Sequence, residues 1–324
     1  MAITAQDVNK LRQMTGAGMM DCKKALTEAN GDFEAAVDAL RKRGQAIANK
    51  RADHEASEGA CVAKVDASGK YGVAIKLNCE TDFVATNAQF VELAQHVLDV
   101  AMTQKPADLV ALQALVADDV TKLSGVIGEK MVVSEYKVVE GESVIAYIHM
   151  NNKIAAVVGF NQVIENQAGK NVAMQVASMS PIAVDQASVS KETIDHELKV
   201  AVEKTKEEMV KKAVDAALTK AGINPAHVDT DEHIESNTAK GWLTAEQAKQ
   251  AREIKTVEAE KAAANLKEQM IQNIAQGRLK KFFKESCLME QEYFIDSKLS
   301  VGQYLESVNK GLKAVAFCRL SLKD

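Results

Sequence analysis

The run Asn78-Cys79-Glu80-Thr81-Asp82-Phe83-Val84 sets a thiol beside one carboxylate and an aromatic ring beside another. A nucleophilic cysteine is one chemistry such a run could support. A thiolate needs a neighbouring base or positive field, however, and no histidine stands close in sequence. Cys79 therefore reads as a structural thiol at a strand end. Thr81-Asp82-Phe83-Val84 suits another task. Placed between a strand and a helix, an exposed phenylalanine next to an aspartate is an apolar wedge beside a negative charge, held out by a rigid scaffold toward another molecule. The plain alternative is packing, with Phe83 plugging the sheet–helix junction and Asp82 capping the helix.

Other catalytic patterns are missing from the sequence. There is no H-E-x-x-H, no G-x-x-x-x-G-K-[ST] and no G-x-S-x-G, and Gly16-Ala17-Gly18 lacks the strand that a dinucleotide-binding turn follows. The six histidines are scattered, and His96 reads as a surface or satisfied residue. Five cysteines (Cys22, Cys61, Cys79, Cys287 and Cys318) are an odd, widely spaced set without C-x-x-C, as in reduced cytosolic thiols. The formal net charge of −5 argues against general nucleic-acid binding, which needs clustered positive charge. Two local basic clusters, Arg41-Lys42-Arg43 with Lys50-Arg51 and Arg278-Leu279-Lys280-Lys281, read as solvated helix ends rather than phosphate sites. Residues 1–7 carry no basic-then-apolar signal, and no apolar run approaches ~20 residues. These features predict a cytosolic binding protein without metal or cofactor.

Presenting a wedge takes a scaffold, and the 324 residues divide into four pieces that predict an α+β fold. Residues 1–53 read as a three-helix module: Thr4 with Asp7 opens the first helix, Thr15-Gly16-Ala17-Gly18 breaks it, Asn30-Gly31 ends the second, and Asp32 caps the third. Gly44 to Gly59 reads as a linker. Residues 54–140 and 141–189 each begin with a hairpin followed by a helix. Cys61–Val65 and Tyr71–Cys79 precede a helix carrying Phe90, Ala94, Val97, Leu98 and Ala101. Val144–Met150 and Ile154–Phe160 precede one carrying Val172, Ala173, Val176, Ala177 and Met179. A proline, Pro106 or Pro181, follows each. The match in order predicts two related core subdomains, the second completed by residues 284–324 with strands at Tyr293–Ile295 and Val315–Leu320. Residues 190–283 read as a long antiparallel helical, coiled-coil arm. Its stripes are Leu198, Val202, Met209, Ala213 and Ala217 outward, then Ala259, Ala263, Leu266, Met270 and Ile274 on a return opened by Thr244 and Gln247.

Two segments, Thr15-Gly-Ala-Gly-Met-Met-Asp-Cys-Lys-Lys-Ala-Leu-Thr-Glu-Ala-Asn-Gly-Asp32 and Asn78-Cys-Glu-Thr-Asp-Phe-Val84, together resemble the bacterial elongation factor Ts family. Ile127-Gly128-Glu129 and the run Gly277–Glu285 with Gln291 and Val301-Gly302 fit the same family. The resemblance implies a ubiquitin-associated-like amino-terminal module. It also implies a partner, the GDP form of elongation factor Tu, from which nucleotide is released without covalent chemistry. Thr81, Asp82, Phe83 and Val84 would then disturb the partner's magnesium site. Lys23, Ile127, Gly128, Phe294 and Ile295 would add secondary contacts. No direct nucleic acid or membrane is implied, and a homodimer stays open. The arm, with Lys211 to Gln269 and Trp242 largely added, is longer than the family usually has, and an extra carboxy-terminal helix of some members is missing after Arg319. A different class of function is an adaptor or chaperone-like protein binding through the arm alone.

Overall fold

The computed structural model describes residues 3–323, so Met1 and Ala2 of the expected amino-terminal module and Asp324 of the second core subdomain lie outside the described residues. Helix α1 (Ala5–Thr15) opens on a reciprocal cap: the Asp7 N–H donates to Thr4 Oγ1 at 3.2 Å, and the Thr4 N–H donates to the Asp7 carboxylate at 3.0 Å. It ends at Gly16, whose φ of 73° is left-handed. Helix α2 (Met19–Glu28) and helix α3 (Phe33–Lys50) follow, the latter capped by Asp32. Their shared core is small, built on Val8, Leu11, Cys22, Ala25, Leu26 and Ala36.

The expected linker from Gly44 to Gly59 is a correction, because α3 continues through Gly44 to Lys50. The glycine is buried and marks a close crossing with a later helix, so the missing side chain serves packing instead of a break.

Strands β1 (Glu58–Val65) and β2 (Tyr71–Cys79) form the first hairpin. A short helix α4 (Asp82–Ala85), then α5 (Ala88–Gln104) and α6 (Leu109–Ile127), lead to β3 (Val132–Glu140), which pairs antiparallel with β2. Strand β2 has no inside–outside alternation, since all nine of its residues are buried. Val73, Ile75 and Leu77 share a core with Phe90, Val97 and Leu112 of α5 and α6. Ala74 belongs to a second core on the opposite face.

That second core is completed by another antiparallel sheet. Strands β4 (Ser143–His149) and β5 (Ile154–Phe160) are joined through Met150, Asn151 and Asn152, all at positive φ, and α7 (Asn166–Met179) covers the hairpin. Four of the five residues expected on its apolar face are buried. Met179 is instead 50% exposed in the last turn. Both covering helices, α5 and α7, stop the same way: Lys105 and Ser180 adopt left-handed φ of 46° and 47° immediately before Pro106 and Pro181.

Contacts divide the chain into two units, residues 1–184 with 292–324, and residues 185–291. The helical unit contains α8 (Lys191–Lys220), α9 (Asp231–Ala239), α10 (Ala245–Ala264) and α11 (Glu268–Ser286). Val214 and Leu218 of α8 share a core with Ala248 and Ala251 of α10, whereas Glu208 pairs with Arg278 of α11, so the returning helices run antiparallel to α8. Three expectations fail here. The far end is more than a link between two long helices, because Ile234 of α9 and Leu243 join Leu218 and Val228 in a small core. The return is also broken at Asn265, whose side-chain amide donates to the Lys261 carbonyl at 2.8 Å and competes with helix continuation. The break shifts the inner face by one residue, burying Ile271 and Ala275 and leaving Met270 51% exposed. On α8 the buried residues are Ala201, Thr205, Val214 and Leu218 instead of the predicted stripe.

The first unit resumes with β6 (Glu292–Tyr293), β7 (Asp296–Ser300), α12 (Val301–Val308) and β8 (Ala314–Ser321). Phe294 and Ile295 lie in the turn between β6 and β7, not on a strand as expected. Strand β8 pairs with β5, Ser321 opposite Ile154, giving the order β4-β5-β8 beside β1-β2-β3. Each sheet thus has the second strand of its hairpin at the centre. The two sheets pack face to face through Cys61, Ala74, Val139, Val144, Val157 and Cys318, so closely that a methyl on Gly72 would meet Val144 and Val157 at 2.7 Å.

Candidate functional site

Strand β2 ends at Cys79 and α4 starts at Asp82, leaving Glu80 and Thr81 to make the corner. Thr81 Oγ1 caps α4 by accepting the Val84 N–H at 3.3 Å. Four residues then form one turn, too short to be stable without outside support. Val84 supplies some of it, 9% exposed and packed in the core beside Phe90 and Val133. Asp82 faces solvent, and Phe83 is 84% exposed, the largest exposure of a large apolar side chain among the described residues. Neither packing role holds: Phe83 plugs nothing, and the cap is Thr81, not Asp82. A phenylalanine exposed to this degree keeps in water apolar area that binding to another molecule would bury.

The remaining support comes from the turn after α6. Gly128 ends that helix at φ 86°, with its N–H on the Ser124 carbonyl at 2.8 Å, and directs the next residue toward the β2–α4 corner. Glu129 Oε2 accepts the N–H groups of Glu80 and Thr81, each at 3.1 Å, while Oε1 accepts the Thr81 hydroxyl at 2.7 Å. Glu80 answers by accepting the Lys130 N–H at 2.6 Å. Each loop therefore hydrogen-bonds the backbone of the other through a carboxylate. The other Glu80 oxygen lies 2.8 Å from Arg51 Nη1 and 3.0 Å from His54 Nδ1, and Lys130 Nζ donates to the carbonyls of Ala52 and His54 at 2.6 and 2.9 Å. Burial opposes ionisation of Glu80, but the Lys130 amide, His54 and Arg51 outweigh it and hold the carboxyl down at about 2.

Cys79 is inert by comparison. Burial first, then the Glu129 carboxylate, push its thiol up to about 12, and its sulfur donates to the Thr81 carbonyl at 3.2 Å. Among the described residues, no group of three His, Cys, Asp or Glu side chains could hold a metal ion, and no helix is long and apolar enough to cross a membrane. The basic cluster near α3 is largely paired, Arg41 with Asp118, Arg43 with Asp21 and Arg51 with Glu80.

The structure gathers Thr81–Val84 with Ile127 and Gly128. Ile127 is half-buried against the first core. Lys23 lies elsewhere, exposed on α2 beside Met19 and Met20, which are 54% and 74% exposed. Phe294 and Ile295, 44% and 58% exposed, sit on a hairpin fixed by the buried Gln175, which accepts the Phe294 N–H at 2.9 Å and donates to the Glu292 carbonyl at 3.0 Å. Sequence reasoning missed Glu80, Glu129 and Lys130 as the supports of the Phe83 turn. One signal was available, a carboxylate directly after a helix-ending glycine, but its target lies 48 residues away in sequence.

The family model described as elongation factor TS matches residues 80–324, beginning at the Glu80 corner. Over the full chain and 99% of their own length, the chain is 54% identical to elongation factor Ts of Bacteroides thetaiotaomicron and 50% identical to that of Parabacteroides distasonis. It is 40% identical to elongation factor Ts of Porphyromonas gingivalis, over 99% of both. These alignments run through the helical unit as well as the sheets. A match of this extent means that the chain belongs to the elongation factor Ts family and has a role as a translation elongation factor.

Proposed function

We propose that the chain is a guanine-nucleotide exchange factor that binds the GDP form of elongation factor Tu and speeds release of the nucleotide. The observation that carries this reading is Phe83, a solvent-exposed ring on a one-turn helix braced from below. In the proposed complex, Phe83 wedges between partner helices while Asp82 and its neighbours disturb the magnesium site and phosphate loop. Magnesium bridges nucleotide phosphates to protein, so dislodging it removes much of the electrostatic affinity for GDP. Coupling is reciprocal: a factor that weakens nucleotide binding is itself expelled when nucleotide rebinds. No bond is made or broken on this chain.

Lys23 with the exposed methionines of α2, Ile127 with Gly128, and the Phe294–Ile295 turn would make the secondary contacts. The pieces 1–53, 54–140, and 141–189 with 284–324 would each present one of these surfaces, with 190–283 as an inserted arm. The test is release of labelled GDP from elongation factor Tu. The wild-type chain should accelerate it, and Phe83→Ala combined with Asp82→Ala should abolish most of the acceleration while leaving the melting temperature unchanged. Release that is equally slow with and without the wild-type chain would rule the reading out. Binding that survives the double variant but is lost on deleting residues 190–283 would favour an adaptor.

A further inference from the structure

We infer that Glu129 is a positioning residue for exchange, holding the Phe83 turn in the one orientation that can enter a partner. The inference rests on the function proposed above and extends it to a residue that touches no partner itself.

The turn has little stability of its own. Helix α4 contains only four residues, and of its side chains only Val84 is buried in the core, with Ala85 packed partly buried against it. Its first turn leaves backbone N–H groups without intrahelical partners, and the preceding corner has two more. Glu129 accepts both corner N–H groups and the hydroxyl of the capping Thr81. A single carboxylate thus fixes the backbone on the amino-terminal side of Phe83 and orients the cap as well. The carboxylate is held in turn: the Glu129 carbonyl accepts the Ser124 hydroxyl at 2.5 Å, and the following N–H is clasped by Glu80. Ser124 is buried in α6, so the chain of contacts runs from a core helix to the displayed ring.

Without that carboxylate the corner amides turn to water, and the ring samples orientations that do not fit. Loss of orientation acts on the productive step more than on encounter, because secondary contacts remain. Misplacement of a reacting group by about 1 Å costs about 100-fold in comparable cases. The amide of glutamine keeps an oxygen for the N–H groups and can donate to Thr81 Oγ1, so Glu129→Gln should rescue much of what Glu129→Ala loses.

The experiment measures GDP release from elongation factor Tu over a range of factor concentrations, alongside amide hydrogen exchange of the free factor. Glu129→Ala should lower the maximal release rate by about 10-fold or more, moving the half-saturating concentration by less than about 3-fold. Amide exchange should rise at residues 80–84 while α5 and β2 stay protected. Glu129→Gln should recover at least half of the maximal rate. If wild type accelerates release and Glu129→Ala does so equally, the inference is overturned. It is also overturned if the alanine variant changes only the half-saturating concentration, or if residues 80–84 remain as protected as in wild type. Should Glu129→Ala unfold, a glutamine variant that folds yet releases GDP as slowly as Phe83→Ala would count against positioning by hydrogen bonds. If wild type itself fails to accelerate release, the proposed function falls, and the protection of residues 80–84 still decides whether Glu129 holds the turn.

Discussion

Gly44 of α3 and Gly125 of α6 meet backbone to backbone: a methyl built on Gly125 would lie 2.3 Å from the Gly44 Cα. The constraint is strongest at Gly125, because a methyl on Gly44 would meet the Gly125 Cα at an ordinary 3.5 Å. Beside the contact lies a cavity of about 350 Å³ lined in part by Met14, Leu40 and Val126, and Arg41 pairs with Asp118 between the same two helices. Gly125→Ala should therefore destabilise the docking of α1–α3 by about 1–3 kcal/mol, the usual range for overpacking. Faster amide exchange in α1–α3, with β1–β3 unchanged, is the expected signature.

Glu80 links stability to pH. Its folded carboxyl is held at about 2 against an ordinary value of 4.5, so the ionised form favours the folded state. That contribution is complete above the unfolded value and fades as pH falls through the interval between about 4.5 and 2. Wild type should melt above Glu80→Gln near neutrality, and the gap between them should shrink steadily across that interval. A gap independent of pH would deny Glu80 this role.

The thiols should be silent in the native protein. All five are buried, and burial pushes Cys79 and Cys318 up to about 12 and Cys287 up to about 11. A maleimide at mildly alkaline pH should label native chain slowly and denatured chain at five positions. Fast labelling of one native cysteine, read by peptide mass spectrometry, would contradict this.

In the helical unit, Ile234 is fully buried among Leu218, Val228 and Leu243. Truncating it should cost about 2–5 kcal/mol, as for other large-to-small changes in a core. The lone Trp242 is 62% exposed and tilted against His227 at 5.6 Å, which makes its fluorescence a local reporter. For Ile234→Ala, the transition followed at Trp242 should move to lower temperature.

Much of this fold was readable because local rules were obeyed. Thr4 with Asp7 and Thr244 with Gln247 make the reciprocal caps their spacing predicts, and both hairpins and their covering helices fall where the patterns put them. The failures have two causes, dependence on a distant surface and, at Asn265, a local side-chain contact. Gly44 looked like a breaker because Gly125 was out of sight. The return stripe was read in one phase, whereas the interruption at Asn265 resets it. At the candidate site, the motif drew attention to Phe83 through its residue types. The carboxylate that steadies it could not be seen, since Glu129 meets Thr81 only after β2, α5 and α6 have packed.

The pairing of Ile154 with Ser321 also has a temporal side. The first sheet has all three strands once Glu140 has left the ribosome, whereas β5 must wait through the whole helical unit for β8. Closing so long a loop costs more chain entropy and slows formation, and meanwhile the nascent second sheet offers a bare edge along β5. Early chain termination before Ala314 would thus leave β5 with an open edge and remove Cys318 and Leu320 from the core that the two sheets share.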